Sequence, residues 1–259
     1  MEYKDIIYKI KENVAWITIN RPQQYNAFTT NTMKELCFAF EEAELDENIR
    51  VIVLRGAGNK AFCTGGDINE SSSGGYDSDM NYWHGKTHHL IRATTKPVIA
   101  AVNGWAIGGG HILHVLCDLS IAADNAKFGQ AGPRVGSFDA GFGAAYLARV
   151  VGEKRAREIW FLCRTYTAQE AFEMGLVNKV VGCDDLDSEV EKWCKEIVSL
   201  GPTAIKFLKA AFNADSDQIF GSEAMSQVAV RLYWESREAK IYKDKFMEAR
   251  KNKRKRTNS

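Results

Sequence analysis

Val14, Trp16 and Thr18 alternate with Ala15, Ile17 and Ile19 and stop at Asn20-Arg21-Pro22, which predicts a strand that ends in a turn. The period then lengthens. Met33, Leu36, Cys37, Phe40 and Ala43 recur at helical intervals, and Thr32 with Glu35 has capping-box spacing, so a helix is expected through Glu44. Val51 to Leu54 is a short apolar run closed by Gly56 and Gly58, the pattern of a parallel strand buried on both faces. The same grammar returns at Pro97 to Val102 before Asn103-Gly104, and at Leu119 to Ala122 before Asp124-Asn125. Glu153 to Leu162, Ala168 to Met174 and Leu186 to Leu200 are helical by pattern, with a strand over Leu176 to Val181. After Pro202 the pattern is wholly helical, from Ala204 to Asn213 and then along a charged stretch from Ser222 to about Lys253. The pattern therefore predicts an α/β core over residues 1–200 and a helical subdomain over residues 201–259. Ser71 to Gly75 reads as a loop near the mouth of the core.

The composition fits that picture. With 259 residues, 45% hydrophobic and 26% charged, the chain can bury a full core and does not resemble a disordered one. A formal net charge of +1 leaves no global field to recruit nucleic acid, although six of the seven residues from Arg250 to Arg256 are basic and read as a solvated tail. The longest apolar runs, such as Val98 to Val102, fall far short of the roughly 20 residues of a membrane span. The opening MEYKDIIYKIKENVAW mixes both charges from its second residue, unlike a signal segment, so a cytoplasmic location is expected. Six cysteines without a C-x-x-C pair read as reduced, mostly buried thiols.

Two glycine clusters follow predicted strands: Cys63-Thr64-Gly65-Gly66-Asp67 and Gly104-Trp105-Ala106-Ile107-Gly108-Gly109-Gly110-His111. Neither is a dinucleotide fingerprint. Lacking a Cβ, each lets backbone N–H groups approach a ligand, and a triplet that opens a helix adds the positive end of the helix dipole. Two such N–H groups from separate turns have the makings of an oxyanion hole.

FCTGGD, KPVIAAVNGWAIGGG, FGQAGPRVGSFDAGFG and GEKRAREIWFLCRTYTAQEAFEMGLVNKVV, in that order and spacing, resemble the enoyl-CoA hydratase/isomerase (crotonase) superfamily over roughly Tyr3 to Val181. Within it the motifs look most like the dihydroxynaphthoyl-CoA synthases and ketocyclohexanecarboxyl-CoA hydrolases. The resemblance implies a spiral of ββα units, a C-terminal helical region that builds trimers and often hexamers, and acyl-CoA thioester substrates without metal or redox cofactor.

The resemblance also implies site residues. Gly66 and Gly109 would supply the oxyanion N–H groups. Hydratases of the family carry paired glutamates at places that are Ile112 and Gly132 here, so simple hydration is not expected. Gln130, Ser137 and Asp139 take their place, with Asp139 flanked by Phe138 and Phe142 and so a candidate proton shuttle or, in the plainer reading, a helix cap. The space at Gly132 would suit a bicarbonate. Tyr233 or Trp234 falls at an aromatic position that carries a catalytic tyrosine in those relatives, and a packing role is the alternative. Tyr76 matches a loop tyrosine of the synthases, whose loop arginine has no counterpart at Ser71 to Ser73. His84, His88 and His89 follow that loop. His84 could face substrate, whereas the His88-His89 pair reads as solvated surface. His111 and His114, at i and i+3, read as packed rather than metal-binding. Arg21, Tyr25 and Lys60 stand where coenzyme A binds, and Phe246 and Arg250 resemble residues that sandwich adenine from a neighbouring subunit.

Three functions remain at this point. The preferred one is a ring-opening C–C hydrolase of an alicyclic β-oxoacyl-CoA. The second is dihydroxynaphthoyl-CoA synthesis, which uses the same thioester enolate in the opposite sense. The third, from another class, is an RNA-binding scaffold that uses the basic tail and binds with steep salt dependence.

Overall fold

The computed structural model describes residues 2–71 and 78–257. β1 (Ile6–Lys11) and β2 (Val14–Ile19) form an antiparallel hairpin. Next come β3 (Val51–Gly56), β4 (Ala61–Cys63), β5 (Val98–Val102), β6 (Trp105–Ile107), β7 (Leu119–Ala123), β8 (Lys127–Gly129), β9 (Tyr166–Thr167) and β10 (Lys179–Val181). They divide between two sheets. One has the order β1-β2-β3-β5-β7-β10, parallel from β2 onward, and the other β4-β6-β8-β9. Each of β3, β5 and β7 is thus followed by a short strand in the second sheet. Helices 78–93 and 109–116 follow the first two pairs, giving the ββα spiral.

The larger sheet is covered on both faces, which is why β3 and β5 are nearly continuous apolar runs. Val51, Val53, Ile99, Ala101, Ile121 and Ala123 pack with Leu186, Val190 and Cys194 of helix Leu186–Val198. Ile52, Leu54, Val98, Ala100 and Ala122 face the other way, into the main core with Met33, Leu36 and Phe40 of helix Thr30–Leu45. Five cysteines are buried and Cys183 is exposed, all of them free thiols. Among the described residues no helix is long and apolar enough to cross a membrane.

Four local expectations change. The capping box of helix Thr30–Leu45 uses Thr29 as N-cap with Thr32 as its reciprocal partner, not Thr32 with Glu35. Glu35 instead accepts the backbone N–H groups of Lys4, Asp5 and Ile6 and so anchors the start of β1. The strand expected over Leu176 to Val181 is confined to Lys179–Val181. The expected helix from Ser222 to about Lys253 is two, Ile219–Glu235 and Arg237–Thr257. Ser236 is extended between them, and its hydroxyl accepts the Ala239 N–H as a cap for the second. The basic run expected as a solvated tail continues that last helix through Thr257.

Candidate active site

A cavity of about 1390 Å³ opens where the two glycine turns, the segment from Gln130 to Asp139 and the last two helices meet. Gly65, at φ +85°, makes a turn that a side chain would strain, and a Cβ on it would stand 3.2 Å from the Gly109 nitrogen. The two turns are therefore in van der Waals contact. A bridge fixes the first one: Phe28 N–H donates to Gly65 O at 2.9 Å and Asp67 N–H to Phe28 O at 2.8 Å. Both of those bonds use the neighbours of Gly66, so among the described residues the Gly66 N–H has no acceptor. Gly109 opens helix Gly109–Leu116, where a first-turn N–H has no acceptor within the helix. Both glycines line the cavity. The pair meets the requirement for stabilising an oxyanion, with the helix dipole adding to it.

Arg21, expected near coenzyme A, is structural. Its guanidinium pairs with Asp67 at 2.9 Å and donates to Ala27 O at 2.6 Å, so it is committed to holding the first glycine turn.

Asp139 lines the same cavity. Its Oδ1 accepts the Gly141 and Gly143 N–H groups, each at 2.9 Å, and so caps the π-helical turn Phe142–Tyr146. Burial, and then the nearby Glu223 carboxylate, push its pKa up to about 6 against those two N–H donors and His88. The cap and the candidate proton shuttle are the same carboxyl. His84 also lines the cavity, its ring 5.5 Å from Phe28 and 4.1 Å from His88. Burial and the neighbouring His88 lower its pKa to about 3, which keeps it neutral.

The expectation of a solvated His88-His89 pair holds for His89 alone. His88 is fully buried, its Nδ1 3.3 Å from Glu223 Oε1. Sequence reasoning missed Glu223 altogether. A signal existed: Ile219, Glu223, Ser226 and Val230 recur at helical spacing on the buried face of helix Ile219–Glu235, and an acid in such a stripe needs partners. His88, Asp139 and Glu223 bring one nitrogen or oxygen each within 4.8 Å of one another.

The other expected residues divide. Gln130 lines the cavity, with Nε2 3.2 Å from His111 Nδ1, and His111 and His114 are packed edge to face at 4.9 Å between ring centres. Ser137 lines it too and accepts the Trp234 Nε1–H at 3.4 Å. Of the aromatic pair, Trp234 faces the cavity, whereas Tyr233 packs on Phe138 and donates its hydroxyl to Glu238. Lys60 is exposed and outside the cavity lining. Phe246 and Arg250 line it, because helix Arg237–Thr257 lies against residues 132–136. Tyr76 lies outside the described residues. Gly132 lines the cavity, and a Cβ on it would meet Ser137 O at 2.7 Å and the Trp160 ring at 2.9 Å, so close packing requires the glycine.

A model of the enoyl-CoA hydratase/isomerase family matches residues 9–256. The chain belongs to that family. An enoyl-CoA hydratase from Mycobacterium avium subsp. paratuberculosis K-10 is 26% identical, with a TM-score of 0.87 over 94% of this chain and 99% of that one. An enoyl-CoA hydratase/isomerase from Xanthobacter autotrophicus Py2 is 30% identical, with a TM-score of 0.86 over 94% and 93%. A monofunctional enoyl-CoA isomerase from M. smegmatis is 30% identical, with a TM-score of 0.71 over 82% and 94%. The protein is thus an acyl-CoA-processing enzyme of the crotonase fold. Ile112 is a buried apolar side chain at one of the two hydratase glutamate places, and Gly132 leaves the other without a carboxylate.

Proposed function

We propose that this enzyme opens the ring of an alicyclic β-oxoacyl-CoA by hydrolysis. The observation that carries the reading is Asp139. It is a single carboxyl whose pKa of about 6 suits both proton removal and proton return, in a cavity with the two unpartnered glycine N–H groups. Tyr25, Trp105, Phe246 and Arg250 on the cavity wall suit the adenine and phosphates of coenzyme A.

In the ground state the thioester oxygen sits on the Gly66 and Gly109 N–H groups. Asp139 takes one proton from a water that attacks the ring ketone. The tetrahedral alkoxide collapses, the bond between ketone carbon and α-carbon breaks, and its electron pair becomes the thioester enolate held by the two N–H groups. Protonated Asp139 then delivers its proton to the α-carbon. The second proton of water leaves with the new carboxylic acid, which ionises. One water is consumed and the thioester survives. An apolar Ile112 and a glycine at position 132 favour this course over hydration of a double bond, which needs two carboxylates to hold the water.

The test is incubation with 2-oxocyclohexanecarboxyl-CoA in heavy-oxygen water, followed by mass spectrometry. Expected is the gain of one water, with label in a new carboxylate and coenzyme A retained. Conversion of succinylbenzoyl-CoA to an absorbing naphthoyl product would overturn the reading in favour of the synthase.

A further inference from the structure

Asp139 does not stand alone in the protein interior. Beside it, Glu223 projects from helix Ile219–Glu235 with three donors on its carboxylate. Oε2 accepts the Phe142 N–H at 3.0 Å, and Oε1 accepts Gln227 Nε2 at 2.7 Å and faces His88 Nδ1 at 3.3 Å. Glu223 is 6% exposed and does not line the cavity. Close packing of the backbone admits it: a Cβ on Gly141 would stand 2.5 Å from the Glu223 Cα. The residue thus grips the turn whose Gly141 and Gly143 N–H groups hold Asp139, through the N–H that lies between those two in sequence.

A buried glutamate is costly without a reason, and stability alone is a weak one. We propose that Glu223 and His88 are positioning residues of the active site: they fix the orientation of Asp139 and set the pH at which it exchanges its proton with substrate. This deepens the hydrolase reading and rests on Asp139 as the group that transfers the proton. Burial alone would raise the pKa of Glu223, but His88, the Phe142 N–H and Gln227 together outweigh it, so the residue keeps its charge. A fixed negative charge beside Asp139 favours the protonated form of Asp139, and His88 acts the other way. The charged and titratable neighbours come from two elements, Glu223 from helix Ile219–Glu235 and His88 and His84 from helix Ser78–Ala93. His84 is neutral. Among the described residues, the cationic side chains of the cavity wall, such as Arg134, Arg231 and Arg250, form no hydrogen bond with Asp139. A metal is not the better occupant of this cluster, because both Glu223 oxygens already accept N–H donors.

The experiment follows the Asp139 carboxyl carbon by ¹³C NMR as a function of pH, with the signal assigned by its loss in Asp139→Asn. Glu223→Gln keeps an oxygen for the Phe142 N–H and removes the charge. The Asp139 midpoint is expected to fall by about one pH unit. His88→Gln removes the opposing ring and is expected to raise it, and this variant serves on its own should Glu223→Gln not fold. On any substrate the enzyme turns over, the acidic limb of kcat/KM shifts with the NMR midpoint, whereas a role in packing alone would lower kcat without moving the limb. A midpoint unchanged in the folded variants overturns the inference. Shifted midpoints without ring opening would uphold it and overturn the hydrolase reading instead.

Discussion

The two halves of the proposed active site are built from different materials. The oxyanion half is backbone: the Gly66 and Gly109 N–H groups are placed by turns that follow β4 and β6, neighbouring parallel strands of one sheet. The proton-transfer half is side chain: Asp139 in a loop, His88 on one helix and Glu223 on another, gathered from three distant stretches of chain. Strand pairing fixes the first half. The second depends on how the C-terminal helices dock, so it is the half in which one scaffold can change its chemistry.

The sharpest way to separate the halves is to damage each alone. In Gly109→Ala the new Cβ would stand 2.7 Å from two ring atoms of Phe28, a buried side chain. The glycine turn must then shift. Turnover is expected to fall by about 100- to 1000-fold through loss of one oxyanion donor. Asp139→Asn keeps the volume and removes the base, with an expected loss of about 100- to 10,000-fold in kcat. Thioester binding, measured by calorimetry with a non-reactive acyl-CoA, should survive in Asp139→Asn and weaken in Gly109→Ala. Equal binding losses in both variants would erase the distinction between the halves.

Legibility in the sequence follows the same division. The glycine turns can be read because a cluster of adjacent glycines soon after an apolar run permits few backbone shapes. Strands β3, β5 and β7 are legible for the same local reason, whereas β4, β6, β8 and β9, two or three residues long, carry too little periodicity to register. Asp139 is legible through its motif, and because the carboxyl that caps the turn also lines the cavity, the plain and the proposed functional readings are compatible. Glu223 and His88 are less legible: an acid in an apolar stripe calls for partners, but the Phe142 N–H and His88 that meet Glu223 lie 81 and 135 positions away, where no local pattern shows them. The break at Ser236 is hidden because a charged, uniformly helical composition runs through it.

Acid should loosen the interior before it affects the surface. Burial lowers the pKa of His111 to about 3 and that of His114 well below its ordinary value, and both are enclosed by the helix after the glycine triplet. In the unfolded chain both would take up protons near pH 6.5. Between about 6.5 and 3 the unfolded state therefore binds more protons, so stability is full above 6.5 and is lost as the pH falls through that window. Asp139 runs the other way, since its raised value means that the folded state binds the extra proton between 3.8 and about 6. His84, lowered to about 3, adds to them, and one carboxyl does not offset three imidazoles. Urea unfolding at pH 7.5 and 5.5 should show a loss on the order of 2–3 kcal/mol at the lower pH. Replacing His111 and His114 together by Gln and Asn should remove most of that difference, and an unchanged slope would assign the acid sensitivity to other groups.

The smallest expected effect concerns the seam between the halves. Trp234 reaches across from the C-terminal helices and donates to Ser137 at 3.4 Å, a long bond at the cavity edge. Trp234→Phe keeps an aromatic ring and removes the donor, so the cost is that of one weak hydrogen bond, about 1 kcal/mol or less, or at most a few-fold in kcat/KM. Because indole cannot release a proton under these conditions, the acidic limb of the pH profile should stay where Asp139 puts it. Trp234→Tyr sharpens the point, since a phenol does exchange protons. Activity toward succinylbenzoyl-CoA gained through Trp234→Tyr would show that the C-terminal helices, not the glycine turns, choose between making and breaking the carbon–carbon bond.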